Sequence, residues 1–113
     1  MITGDAKTRT VKIGDRILSP ARSQRLWNHS PDGFNWGYSG SGPAQLALAL
    51  LLEFSDDNIA PVLYQKFKAE IIAELPMDKD FELSEDLVKD WIIRNEPLTQ
   101  VRRIYGKKEN NAP

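Results

Sequence analysis

Phe34 to Leu52 reads FNWGYSGSGPAQLALALLL, and this stretch decides the fold. Phe34, Trp36 and Tyr38 alternate with Asn35 and Gly37, a spacing that predicts a half-buried strand with three rings on one face. Gly37, Gly40 and Gly42, with Ser39 and Ser41 between them, predict a tight corner whose hydroxyls bond freed backbone groups. Pro43 suits the first helical position, with Gly42 or Ser41 as N-cap. From Ala44 to Leu52 only Gln45 is polar, so the helix expected over 43–53 is apolar nearly all round and belongs at the centre of the domain. It is far shorter than the roughly 20 residues that span a bilayer, and Glu53 closes it, so no membrane partner is expected.

The corner has two readings. Serine hydroxyls and free N–H groups at a helix start suit a phosphate or carboxylate, which makes Ser39, Gly40, Ser41, Gly42 and Gln45 candidate ligand-binding residues, joined by Arg25 or His29. Alternatively the glycines only let the helix pack closely on the chain it leaves. The run lacks the lysine and following Ser/Thr of a P-loop and the spacing of a dinucleotide fingerprint, and no cofactor is implied.

A chain of 113 residues, 41% hydrophobic and 27% charged, has the makeup of one globular domain. The absence of cysteine excludes disulfides, thiol catalysis and cysteine-ligated zinc, and a single histidine, His29, argues against a transition-metal site. His29 beside Asp32 has the residue types for acid–base work, but packing at the turn is the favoured reading. The opening MITGDAKTRT has no apolar core of a signal peptide, so the expected location is cytoplasmic.

Net charge is −1, unevenly spread. Residues 1–30 hold six Lys/Arg against two acids, residues 31–93 four against twelve, and residues 94–113 five against two. Basic ends offer a nucleic-acid contact through Arg9, Lys12, Arg16, Arg22, Arg25, Arg102 and Arg103. The acidic middle offers a face to a basic partner, and mutual neutralisation within the fold removes the need for either.

Elsewhere, Val11 to Leu18 (VKIGDRIL) predicts a hairpin about Gly14-Asp15, and Arg22 to Asn28 a further strand. Ser30-Pro31-Asp32-Gly33 has the residues of a type I turn. Several N-caps at 55–58 and Pro61 precede a helix expected to run to Leu75, where Pro76 stops it. Phe81-Glu82-Leu83 suggests an edge strand, and Ser84 caps a helix whose buried stripe is Leu87, Val88, Trp91 and Ile92. Leu98 to Tyr105 is a short basic segment of strand or surface character, and 106–113 is expected to be disordered.

The run HSPDGFNWGYSGSGPAQLALALLLEF, with Tyr64, Phe67-Lys68, Leu75-Pro76, Leu83-Ser84 and Trp91, resembles the small family known as domain of unknown function 6166. The resemblance covers roughly residues 9–94, and Asp32, Gly33, Trp36, Gly37, Tyr38, Gly40, Gly42, Pro43, Gln45 and Leu46 match its pattern, while Ser39 stands where the pattern has glycine. It implies a prokaryotic, phage or plasmid setting and supplies no activity or catalytic residue.

The expected architecture is one α+β domain over 1–105, a small antiparallel N-terminal sheet packed by three helices of the C-terminal half. With no recognisable catalytic constellation, the expected role is non-enzymatic: a macromolecule-binding or regulatory protein of a phage or mobile element, acting on a protein partner. The alternatives are an anionic small ligand at the corner and nucleic acid at the basic segments. An exposed Trp27 or Trp91 would favour a protein interface.

Overall fold

The computed structural model describes residues 1–96 and has an α+β architecture, with a four-stranded antiparallel sheet and four α-helices. The strands are β1 (Ile2–Gly4), β2 (Val11–Ile13), β3 (Arg16–Ile17) and β4 (Phe81–Leu83), in the spatial order β3-β2-β1-β4. The predicted hairpin is β2–β3, pairing Ile13 with Arg16 across Gly14-Asp15, where Gly14 takes φ +60°. Phe81–Leu83 forms the expected edge strand, and Ile2 faces both Ile13 on β2 and Leu83 on β4. Ile2, Val11, Phe81 and Leu83 point into the core, whereas Lys12, Ile17 and Glu82 are exposed.

Helix α1 spans Ala21–Leu26, α2 Ser41–Phe54, α3 Ala60–Phe67 and α4 Glu85–Asn95. Every residue of α2 from Gly42 to Leu52 is buried, as its all-round apolarity requires, and α1, α3 and α4 all pack against it. Ser84 caps α4 by accepting Leu87 N at 3.3 Å, with Glu85 and Asp86 in the first turn and Arg94 in the last. Asp56 Oδ1 accepts Asn58 N and Ile59 N, each at 2.8 Å, ahead of α3.

Six expectations need correction. Phe34 to Tyr38 is irregular chain, because Gly37 sits at φ +85° and turns the backbone out of any ladder, its N–H going to Ile72 O at 3.0 Å. Phe34 and Trp36 are nevertheless buried, so the alternation marks burial without pairing. The expected strand at Arg22 to Asn28 is largely α1, whose Ser23 is its buried residue, and it places one helix in the N-terminal half. The central helix starts two residues early, with Gly40 as N-cap, so Pro43 is the third helical residue; its missing N–H is still harmless within the first turn. The helix expected to reach Leu75 is α only to Phe67 and continues as a π turn over Lys68–Ile72, where Ala73 N reaches Lys68 O at 2.8 Å. The sheet gains β1 beyond the three strands expected. Leu87, expected in the buried stripe of α4, is exposed, and the stripe is Val88, Trp91 and Ile92. The segment Leu98 to Tyr105 and the tail 106–113 lie outside the described residues.

Trp36 is the hub between sheet and helices. It is fully buried, donates Nε1 to Lys79 O at 2.8 Å, meets the Phe81 ring edge-on at 4.8 Å and carries the Arg9 guanidinium 5.1 Å above its face. Trp91 has the same role between α3 and α4, edge-on to Phe67 at 4.9 Å, with Nε1 on Glu70 Oε1 at 3.0 Å.

Candidate functional site: the Trp27 ledge and the glycine corner

Helix α1 is only six residues long, too short to persist alone, and side chains of its neighbours hold it. Ser23 is buried, donates Oγ–H to Pro20 O at 2.8 Å and accepts Gln45 Nε2 at 2.8 Å. Gln45 Nε2 also donates to Trp27 O at 3.1 Å, and its Oε1 accepts His29 N at 2.8 Å and Ser30 N at 3.0 Å. Both donors and both lone pairs of this fully buried carboxamide are therefore used. Gln24 adds a bond from Nε2 to Ser30 O at 2.9 Å.

The chain after α1 is thereby fixed, and Trp27 stands on it with 63% of its surface exposed. One face of the indole is stacked on the His29 ring, at 5.6 Å between centroids and 13° between planes. His29 is braced in turn by Tyr64, whose hydroxyl is 2.7 Å from Nε2, and Gln65 Nε2 donates to that hydroxyl at 3.2 Å. Since Tyr64 receives the Gln65 proton, its own O–H is available to His29, which then accepts as a neutral imidazole. Burial, and second the charge of Lys68, hold the His29 pKa below its ordinary value, in agreement with that role. Leu26 is exposed beside Trp27, and Arg25 is exposed in the last turn of α1. The result is an apolar ledge of Leu26 and Trp27 that follows the exposed Arg25 in the chain. Trp91, in contrast, is buried.

The glycine corner is shaped by packing. A Cβ on Gly42 would stand 2.6 Å from Asn35 Cβ, and one on Gly40 would stand 2.6 Å from the Tyr38 ring. Gln45, one of the five candidate ligand residues, points inward to Ser23 and the 27–30 chain, away from any ligand at the helix start. Ser39 and Ser41 are exposed, and no side chain caps α2. An open cleft of about 440 Å³ lies there, lined by Arg9, Ser30, Asp32, Phe34, Tyr38 and Ser41 among others.

The basic candidates are dispersed. Arg9 pairs with Asp78 at 2.7 Å, Arg16 with Glu53 at 3.0 Å and Arg22 with Asp57 at 2.7 Å, so three N-terminal cations meet acids of the middle segment. Lys12 is on the outer face of the sheet, Arg25 is on α1, and Arg102 and Arg103 lie outside the described residues. Among the described residues no group of three or more His, Asp or Glu is placed to hold a metal ion, and no helix is long and apolar enough to cross a membrane.

The exposure of Trp27 went unread in the sequence, although a signal was present. Ser19 to Pro31 contains only Ala21, Leu26 and Trp27 as core-forming residues, too few to bury an indole from within. No match was found among the curated proteins or the solved structures. A family model does match residues 3–94, spanning the sheet, all four helices and the glycine corner, and the chain belongs to the family of unknown function DUF6166.

Proposed function

We propose that this protein is a non-enzymatic binding module that recruits a protein partner through the ledge formed by Leu26 and Trp27. The observation that carries the reading is the 63% exposure of an indole that is stacked on His29. Tryptophan is the residue type most enriched among interface hot spots, and a ring already immobilised loses little further entropy on docking. The phage or mobile-element setting, a regulatory role and action in the cytoplasm are part of the proposal; the setting is supported by the family resemblance alone. The test is affinity purification of the tagged chain and of its Trp27→Ala variant from the native host. A stoichiometric protein captured by the first and lost by the second is the expected result. Equal capture by both overturns the reading.

A second reading, an anionic small ligand in the cleft at the start of α2, is favoured by one observation: that helix has neither a side-chain cap nor an acid in its first turn. Asp32 in the cleft lining opposes it. A rise in melting temperature with inorganic phosphate at constant ionic strength, absent in a Ser41→Asp variant, is its test.

A further inference from the structure

Resting on the reading of Trp27 as a docking residue, we propose that the occupant of the ledge is an acidic protein segment, an aromatic or aliphatic anchor flanked by Asp or Glu. The charge of the chain on either side of Trp27, together with Lys68, carries the argument. From Ser19 to Pro31 the chain has Arg22, Arg25 and His29 and no carboxylate, within a protein whose residues 31–93 carry twelve acids against four Lys/Arg. Arg22 is engaged by Asp57 at 2.7 Å. Arg25 is exposed and has no ion-pair partner among the described residues. Lys68, at the head of the π turn, is near enough for its charge to act on the His29 ring beneath Trp27.

A partner whose anchor covers the indole and whose flanks reach Arg25, two residues earlier in the chain, or Lys68 meets cations, and carboxylates on those flanks supply the opposite charge and direct the encounter. Nucleic acid fits less well. A phosphate backbone wants a track of free cations, and Arg9, Arg16 and Arg22 already have carboxylate partners on separate elements. The exposed Leu26 beside Trp27 also suits an apolar side chain better than a nucleobase edge.

The test is selection of a random phage-displayed library of peptides of about twelve residues on the immobilised full chain. Synthetic copies of the enriched peptides are then titrated against wild type, Trp27→Ala, Arg25→Glu and Lys68→Glu, with circular dichroism confirming that each variant is folded. The expected result is enrichment of acidic peptides with one aromatic or aliphatic anchor. Affinity should fall about 30-fold or more in Trp27→Ala and about tenfold in Arg25→Glu, and should weaken as salt rises. Enrichment of neutral or basic peptides, no enrichment, or an Arg25→Glu variant that binds like wild type overturns the proposal. If Trp27→Ala alone weakens binding, the ledge stands as an interface and its acidic occupant falls; if neither variant matters, both fall. Binding of a single-stranded oligo(dT) probe that Trp27→Ala abolishes would likewise overturn it, in favour of nucleic acid.

Discussion

The side-chain carbonyl of Gln45 accepts the backbone N–H of His29 at 2.8 Å, so the buried central helix directly positions the residue on which Trp27 is stacked. Gln45 thus links core and surface. Its replacement by leucine keeps the volume but deprives Ser30 N of its partner at a part-buried position and leaves Trp27 O with only the His29 N–H at 3.2 Å, and each unsatisfied group costs about 1–3 kcal/mol. Gln45→Leu should lose about 3 kcal/mol of stability in urea denaturation. Gln45→Glu replaces the donor to Ser23 and Trp27 by an acceptor, and because burial raises the folded-state pKa of the introduced carboxyl, its deficit should shrink as pH falls towards about 4.3, below which the group is neutral in both states.

The same residue shows what was legible in the sequence. Lone polarity in an apolar run marked Gln45 as special, but the sequence offered no means of seeing that Ser23, Trp27, His29 and Ser30 would converge on it. Strong local signals were readable: the Gly14-Asp15 hairpin, the apolar run of α2, the Ser84 cap and the alternation of Phe81 to Leu83 all form as expected. Elements that depend on distant partners were not. Strand β1 has three residues and exists because β2 and β4 flank it, and α1 is held by a glutamine of another helix. Phe34 and Trp36 are buried from irregular chain, Trp36 against Phe81, Lys79 and Arg9, and period-two spacing cannot distinguish this from a strand.

Gly37 and Gly14 both have positive φ but differ in surroundings. A Cβ on Gly37 would lie 2.5 Å from Met77 Cα, whereas one on Gly14 has nothing within 4 Å. Gly37→Ala should therefore cost about 2–4 kcal/mol, from backbone strain together with displacement of the 77 segment. Gly14→Ala carries only the left-handed penalty of about 1–2 kcal/mol, and Gly14→Asn less. Chemical denaturation of the three variants in parallel measures the difference; equal losses at both sites would show that the Met77 contact does not matter.

The tryptophans should separate stability from binding. Trp36 is fully buried with a hydrogen-bonded Nε1, so Trp36→Ala should cost about 3–5 kcal/mol. Trp27→Ala removes a mostly exposed ring and should change stability by no more than about 1 kcal/mol. Fluorescence gives an independent check. The wild-type emission should contain a red-shifted, readily quenched component that Trp27→Phe removes, and its persistence in that variant would place the exposed indole elsewhere.

Protonation of His29 should loosen the ledge. Burial, followed by the Lys68 charge, lowers the His29 pKa in the folded chain, while the unfolded chain keeps a value near 6.5. As pH falls below about 6.5 the unfolded state takes up this proton first, so the stability contributed by neutral His29 is present above that pH. It declines between the two pKa values and is fully lost below the folded one. Protonation also turns Nε2 from acceptor to donor, so the Tyr64 hydroxyl, which already receives Gln65, must turn its own proton away. Urea midpoints taken from pH 8 down to about 5 should fall for the wild type and fall less for His29→Gln, which is neutral throughout. Over the same range the Trp27 emission of the wild type should shift with the apparent pKa of His29, because the imidazole lies against one face of the indole. Parallel pH profiles for the two proteins would remove His29 as the titrating group and leave the Tyr64 contact as a neutral packing bond only.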